Sequence, residues 1–347
     1  MPKVTIVSDT AREVDAVVRG ERILLEPEFL QAAIGWTLKP EGLCAEGACV
    51  PVREPAALFF DGLVDLASVA AALGRSIVVD PTAAMAALSL SAAERQIALT
   101  GRAVDFTLPD LDGTPHRFSE WRGKKRLLVT FSSWCGCRYD LPGWQALHDE
   151  LAGDNFMVVA VAIDNSAADV TPWVEGLTIP VLVDAQHVLT ELYAISNVPT
   201  VVWVDEDDRI ARPNALAFGT DTFADFTGVA AEPHLSQVRH WAATGEVPGD
   251  GASVVADLSK DEVTARLHFR LGAEALRQGK PEAGRRNLER AGELAPYDWT
   301  IRRAAMPLLG EDPFGQRFLD LYDEWQDAGA PYHGLPVVRR DAAPQPG

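Results

Sequence analysis

Along the first hundred residues, short apolar runs trade places with helically spaced ones. Val4–Val7 and Arg22–Leu25 read as strands, Pro27–Trp36 and Leu63–Leu73 as helices, and Ser76–Val79 as a further strand. Another helix is expected over residues 82–98. Between the first helix and the next strand, the stretch 39–51 is rich in Gly and Pro and predicts a loop, on which Cys44 and Cys49 lie. The pattern is that of a small α/β or α+β module.

From Thr100 the periodicity changes. Asp112-Gly113 follows a short apolar stretch and signals a hairpin. Leu127–Phe131 is an apolar run with Thr130 as its one polar residue, as expected of a central strand buried on both faces. Leu141, Trp144, Leu147, His148 and Leu151 then recur at three- and four-residue spacing and predict an amphipathic helix. Phe156–Ile163 and Val198–Val204 supply further strands, with helical stretches over 168–176 and 185–194 between them. Strand and helix alternate as in an α/β domain.

After residue 232 the strand signals stop, and 244–257 is rich in Gly, Pro and Asp. From Lys260 to Trp299 the spacing predicts two helices that resemble one tetratricopeptide repeat. Leu271-Gly272, Ala275, Gly284, Leu288, Ala291 and Pro296 fall at its positions, with His268 in the usual Trp place. A lone repeat buries too little by itself, so this unit is expected to pack on the rest of the chain. Phe314–Trp325 predicts one more helix. The expected division is therefore 1–98 (N-terminal module), 99–232 (α/β domain), 233–257 (linker), 258–335 (helical region) and 336–347 (disordered tail).

A chain of 347 residues fits two or three such domains. No stretch reaches the roughly 18 consecutive apolar residues of a membrane span, so no membrane partner is expected. The N-terminal residues lack an apolar export core, which makes cytoplasm the expected location. A net charge of −19 repels phosphate backbones, and the cluster Arg122, Lys124, Lys125, Arg126 is too short to reverse it. Nucleic acid is thereby excluded as an expected partner.

The four cysteines form two close pairs, Cys44/Cys49 and Cys135/Cys137, too few for a disulfide scaffold at this length. Cys135 and Cys137 open the amphipathic helix directly after the central strand. There the exposed N–H groups, the helix dipole and the adjacent Arg138 all favour thiolate. Two thiols this close can exchange, one attacking and the other resolving the mixed disulfide. The one-residue spacer implies a strained ring, and strained disulfides are the more oxidising ones.

These residues resemble the TlpA/ResA-like redoxin branch of the thioredoxin superfamily, which borders on the peroxiredoxins. The resemblance covers about 130 residues. It rests on Phe106-Thr107-Leu108-Pro109-Asp110, Gly113, Gly123-Lys124, Trp134-Cys135, Cys137-Arg138-Tyr139-Asp140-Leu141-Pro142, Asn197-Val198-Pro199-Thr200 and Asp205-Glu206. It implies an α/β architecture: a thioredoxin-fold central domain flanked by the N-terminal module and the C-terminal helical, repeat-like region. It further implies that Pro199 is cis and lies against the dithiol, and that Asp140 tunes the thiols. The departure is the spacing, because the family has Trp-Cys-x-x-Cys and here one spacer is missing. Read from Trp134 or back from Arg138 and Pro142, Cys135 is still the attacking thiol and Cys137 the resolving one.

The leading expectation is a thiol–disulfide oxidoreductase acting on a protein or small-molecule disulfide or thiol, without a cofactor. Its catalytic set is Cys135, Cys137, Pro199, Asp140, Trp134 and Arg138, with Cys44/Cys49 as a relay. Two alternatives stand beside it. A thiol peroxidase needs Pro-x-x-x-Thr/Ser-x-x-Cys; Ser132 fits the hydroxyl position, but Leu128 stands where the proline belongs. A non-catalytic protein would capture a soft metal on its thiols and dock a partner on its C-terminal helices. The bland readings are a solvated carboxylate for Asp140, core packing for Trp134, and inert loop cysteines for Cys44 and Cys49. The scattered histidines offer no metal site with the cysteines.

Overall fold

Residues 2–45, 47–248 and 255–337 are described by the computed structural model, in which the chain forms two units. The first unit comprises Met1–Arg95 and Leu258–Pro296, the second Gln96–Asp257 and Tyr297–Gly347. The helical stretch read above as one region, 258–335, thus contributes to both.

In the first unit the apolar alternation of Lys3–Val7 places a strand between Met85–Leu88, parallel to it, and Ala11–Asp15, antiparallel; Ile77–Asp80 completes this sheet. A second sheet joins Val17–Arg19, Arg22–Leu25, Leu63–Asp65 and Phe59–Phe60. Asp65 ends its strand and caps the helix Leu66–Ala72, accepting from Ala67 N–H at 3.2 Å. Val4, Ile6, Ile23, Leu25, Leu66 and Val69 are buried together as the core. Two expectations change here. The stretch 82–98 holds a strand, Met85–Leu88, before a shorter helix, Ala92–Leu99. The expected cysteine loop is a three-stranded meander, Thr37–Lys39, Gly42–Ala45 and Ala48–Val50. Its Gly and Pro residues mark tight turns between very short strands.

The helices Lys260–Arg277 and Pro281–Leu294 pack on the first sheet, with Leu267, Leu271 and Ala275 against Val7, Met85 and Ala87. Their glycines are contact points. A Cβ on Gly272 would stand 2.7 Å from Leu288 Cγ, and one on Gly284 2.5 Å from the Leu276 side chain. His268 meets Asn287 Oδ1 at 2.8 Å, and Asn287 donates to Asp80 at 2.7 Å.

The second unit is built on a five-stranded sheet in the order Val181–Val183, Phe156–Ala162, Lys125–Phe131, Thr200–Val204, Ile210–Leu216. The first three strands are parallel; Thr200–Val204 runs antiparallel to the central strand and Ile210–Leu216 antiparallel to Thr200–Val204, the expected thioredoxin-like arrangement. Lys125–Phe131 is central and buried from Arg126 onward, which is why Leu127–Phe131 is apolar but for Thr130, whose hydroxyl donates to Thr200 O at 3.0 Å. Residues 233–257, expected as a linker, are helical as far as Thr244. This helix, Glu232–Thr244, is held by Trp241, whose ring stacks on Trp203 at 5.0 Å. Residues 249–254 of that stretch, and 338–347 of the expected disordered tail, lie outside the described residues.

Two C-terminal helices, Trp299–Leu308 and Gln316–Asp327, complete this unit through a cluster of Trp299, Met306, Leu321 and Trp325. Trp299 N–H donates to Ser196 O at 2.8 Å, which ties the first of them to the segment leading into Pro199.

Candidate active site

The central strand ends at Phe131, and the chain turns through Ser132, Ser133 and Trp134 to Cys135. Cys135 takes an extended conformation as N-cap of a short 3-10 turn, Gly136–Asp140, which runs into the helix Leu141–Leu151. Its Sγ accepts the Cys137 N–H at 3.2 Å, a first-turn donor that has no acceptor within the helix. Cys135 and Cys137 are joined as a disulfide with Cα atoms 5.1 Å apart, and both are buried.

The Val198–Pro199 bond is cis. Val198 O approaches Cys135 Sγ to 3.5 Å, so the proline loop and the dithiol face each other. Both line a cavity of about 430 Å³, whose other walls come from Phe218, Phe223 and the C-terminal helices. Gly136 is the only residue type that fits the spacer as it stands. A Cβ there would meet the Phe223 ring at 2.8 Å, closer than any real contact.

Asp140 is buried, which overturns the reading of it as a solvated carboxylate. Its Oδ1 accepts from Thr220 N–H at 2.9 Å and Thr220 Oγ1 at 2.8 Å, while Oδ2 has no partner among the described residues. Burial pushes its carboxyl up to about 6, against the opposing hydrogen bonds from Thr220 and Gly219. It fastens the 219–220 loop to the dithiol turn.

Arg138 lies among rings. Its guanidinium is 3.9 Å from the Trp173 centroid, 4.6 Å from Phe314 and 4.9 Å from Tyr139. It also donates to Ser133 O, bridging the two sides of the cysteine turn. Trp134 is buried, with an indole N–H that has no partner among the described residues.

Asp164 escaped the sequence reading. It follows the strand neighbouring the dithiol strand, and both its oxygens accept from Ser133 N–H, at 3.1 and 3.0 Å. Burial raises its carboxyl to about 6 as well. The available signal was its place just past the carboxyl end of a central strand, where α/β sheets gather their functional groups. Phe223 and the rings of the C-terminal helices had no local signal at all.

The hairpin pair belongs to the first unit. Cys44 and Cys49 face each other across neighbouring strands, bonded as a disulfide with Cα atoms 4.1 Å apart. Cys44 is buried and Cys49 exposed; Glu41 carries a carboxylate oxygen within 4.8 Å of both sulfurs.

Residues 99–212 match the AhpC/TSA family. The chain is 27% identical over 146 residues to the thiol-disulfide oxidoreductase ResA of Geobacillus thermodenitrificans, covering 41% of this chain and 79% of that protein. It is 32% identical over 111 residues to the thioredoxin-like protein YneN of Bacillus subtilis, covering 30% and 64%. The solved exposed lipoprotein thioredoxin of Streptococcus pneumoniae is 33% identical and covers 33% of this chain and 90% of its own, with a TM-score of 0.30. The second unit therefore carries a redoxin domain whose relatives include thiol–disulfide oxidoreductases.

Proposed function

We propose that this protein is a thiol–disulfide oxidoreductase whose working pair is Cys135 and Cys137. The observation that carries the reading is a disulfide held at a helix start, at the floor of a cavity, beside a cis proline. In the reduced protein, the Cys135 thiolate attacks one sulfur of a substrate disulfide. That bond breaks, one substrate thiolate leaves, and a mixed disulfide forms on Cys135. The Cys137 thiolate then attacks the Cys135 sulfur and releases the second substrate thiolate. Two electrons pass to the substrate, and Cys135–Cys137 is left oxidised; the reverse sequence oxidises a dithiol.

Cys135 takes the attacking role because its sulfur accepts the Cys137 N–H, a bond that strengthens when the sulfur is charged. Asp140 and Arg138 act as positioning residues, one holding the 219–220 loop, the other the Ser133 turn. The peroxidase alternative is disfavoured. Leu128, where its motif has proline, is buried in mid-strand and paired with Val159 and Val202.

The test is trapping. With Cys137→Ser, a mixed disulfide should accumulate on Cys135 and survive gel analysis without reductant. An adduct that forms on Cys137 and persists in Cys135→Ser would overturn the assignment.

A further inference from the structure

The cavity above the disulfide has a composition of its own. Its walls away from the sulfurs are aromatic, with Phe226 packed on Tyr322 at 4.8 Å and Trp299 on Trp325 at 5.7 Å. At about 430 Å³ it matches the size of a small-molecule site rather than a gap in packing.

Into this apolar wall the fold places a cation that it does not neutralise. Arg303 is only 9% exposed. Its Nε and Nη2 both donate to Pro313 O, at 3.1 and 3.0 Å, and its guanidinium lies 3.9 Å from the Phe318 ring and 5.1 Å from Phe314. Among the described residues no carboxylate pairs with it, and Nη1 has no acceptor. The charge that acts on it is a second cation, Arg138, which lies against the same Phe314 ring at 4.6 Å. Arg138 likewise has no carboxylate partner among the described residues, and its Nε is buried without an acceptor. Desolvation and this repulsion together lower the Arg303 guanidinium to about 9. A buried guanidinium without a counter-charge is costly, and an acidic group entering the cavity would relieve it.

We propose that this cavity is the substrate site of the exchange reaction, and that it takes a small aromatic or apolar thiol or disulfide bearing an acidic group. The apolar body lies among the rings, the acid meets Arg303, and the sulfur faces Cys135. The inference rests on the reading of Cys135–Cys137 as the exchange pair, but its chemistry of recognition stands apart from electron transfer. It can therefore be measured in a protein that cannot exchange.

The experiment uses the full chain with Cys135→Ser and Cys137→Ser and three sulfur-free probes of one shape: 4-phenylbutyrate, 4-phenylbutanamide and 4-phenylbutylamine. By titration calorimetry the acid should bind about tenfold more tightly than the amide, and the amine more weakly still. Arg303→Gln should remove the preference for acid while leaving amide binding in place, and Arg303→Lys should retain part of it. Phe226→Ala, at a half-exposed wall position, should weaken acid and amide by a similar factor and keeps the test informative should Arg303→Gln not fold. Equal binding of acid and amide, a preference that survives Arg303→Gln, or no binding by any probe would each overturn the proposal. Failure of the Cys137→Ser trap with this preference intact would instead count against the exchange reading alone.

Discussion

Asp140 Oδ1 accepts both the backbone N–H and the hydroxyl of Thr220, at 2.9 and 2.8 Å, from a buried position three residues beyond Cys137. These bonds favour the ionised carboxyl, yet burial outweighs them and the group titrates at about 6. The folded state therefore binds a proton more tightly than the unfolded chain. Its contribution to stability is full below pH ~4 and is lost as pH rises through 6. Asn in its place keeps an acceptor for Thr220 and removes the buried charge. Asp140→Asn should stabilise the protein by about 3 kcal/mol at pH 8 and leave it nearly unchanged at pH 4. Urea unfolding at the two pH values checks this; an equal gain at both would show that burial of charge is not the cause.

The Ser133–Asp164 contact gives a pH dependence of its own. Asp164→Ala removes both acceptors of the Ser133 N–H, and a lost buried hydrogen bond costs about 1–3 kcal/mol. The loss should be largest below about pH 4 and shrink as pH rises through 6, because ionised Asp164 itself weighs against the wild-type fold. Thermal melts from pH 4 to pH 8 measure it. A loss that grows with pH would reverse the sign argued here.

Gly136→Ala brings a methyl group into the Phe223 ring. Overpacking of this kind costs about 1–3 kcal/mol, and it also shifts a wall of the dithiol cavity. Exchange with a disulfide substrate should slow, and Phe223→Leu in the same chain should recover most of both losses. If the double variant is no better than the single, the Phe223 contact is not what excludes a side chain at residue 136.

For the hairpin pair, Cys44→Ser with Cys49→Ser opens a loop of sequence separation 5. Closing so short a loop is worth about 2 kcal/mol, the expected loss in chemical unfolding. The relay reading adds a second outcome. Multiple turnover with a protein reductant should fall, while a single turnover of pre-reduced protein should not. Unchanged multiple turnover would leave the pair as a structural staple.

The sequence was most legible where one residue pattern had one structural solution. Leu127–Phe131 is apolar but for Thr130 because both faces are covered, and Asp112-Gly113 does join the strands Thr107–Pro109 and Pro115–Arg117. The dithiol helix, the facing Pro199 and the two cysteine pairs were likewise expected. The cysteine meander was not, because strands of three or four residues carry too little alternation to outweigh their Gly and Pro. The helix Glu232–Thr244 was missed because its apolar positions are few and are answered by Trp203, a partner remote in sequence. The cavity's aromatic wall was invisible for the same reason. Phe223, Trp299 and Phe314 belong to three separate segments and become a site only when the chain is folded.

The division of the chain has a consequence for anyone who cuts it. The polypeptide leaves the first unit near residue 95 and returns to it at Leu258. It then rejoins the second unit at Tyr297. Neither unit is a contiguous stretch of coding sequence. A fragment ending at residue 257 would retain the cysteine turn and the facing proline, so it would still carry the reactive disulfide. It would, however, expose Val7, Met85 and Ala87 in one unit and forfeit Trp299, Arg303 and Phe314 in the other. Such a truncated protein would keep its reagent and lose its discrimination, reacting with whatever disulfide diffuses to it.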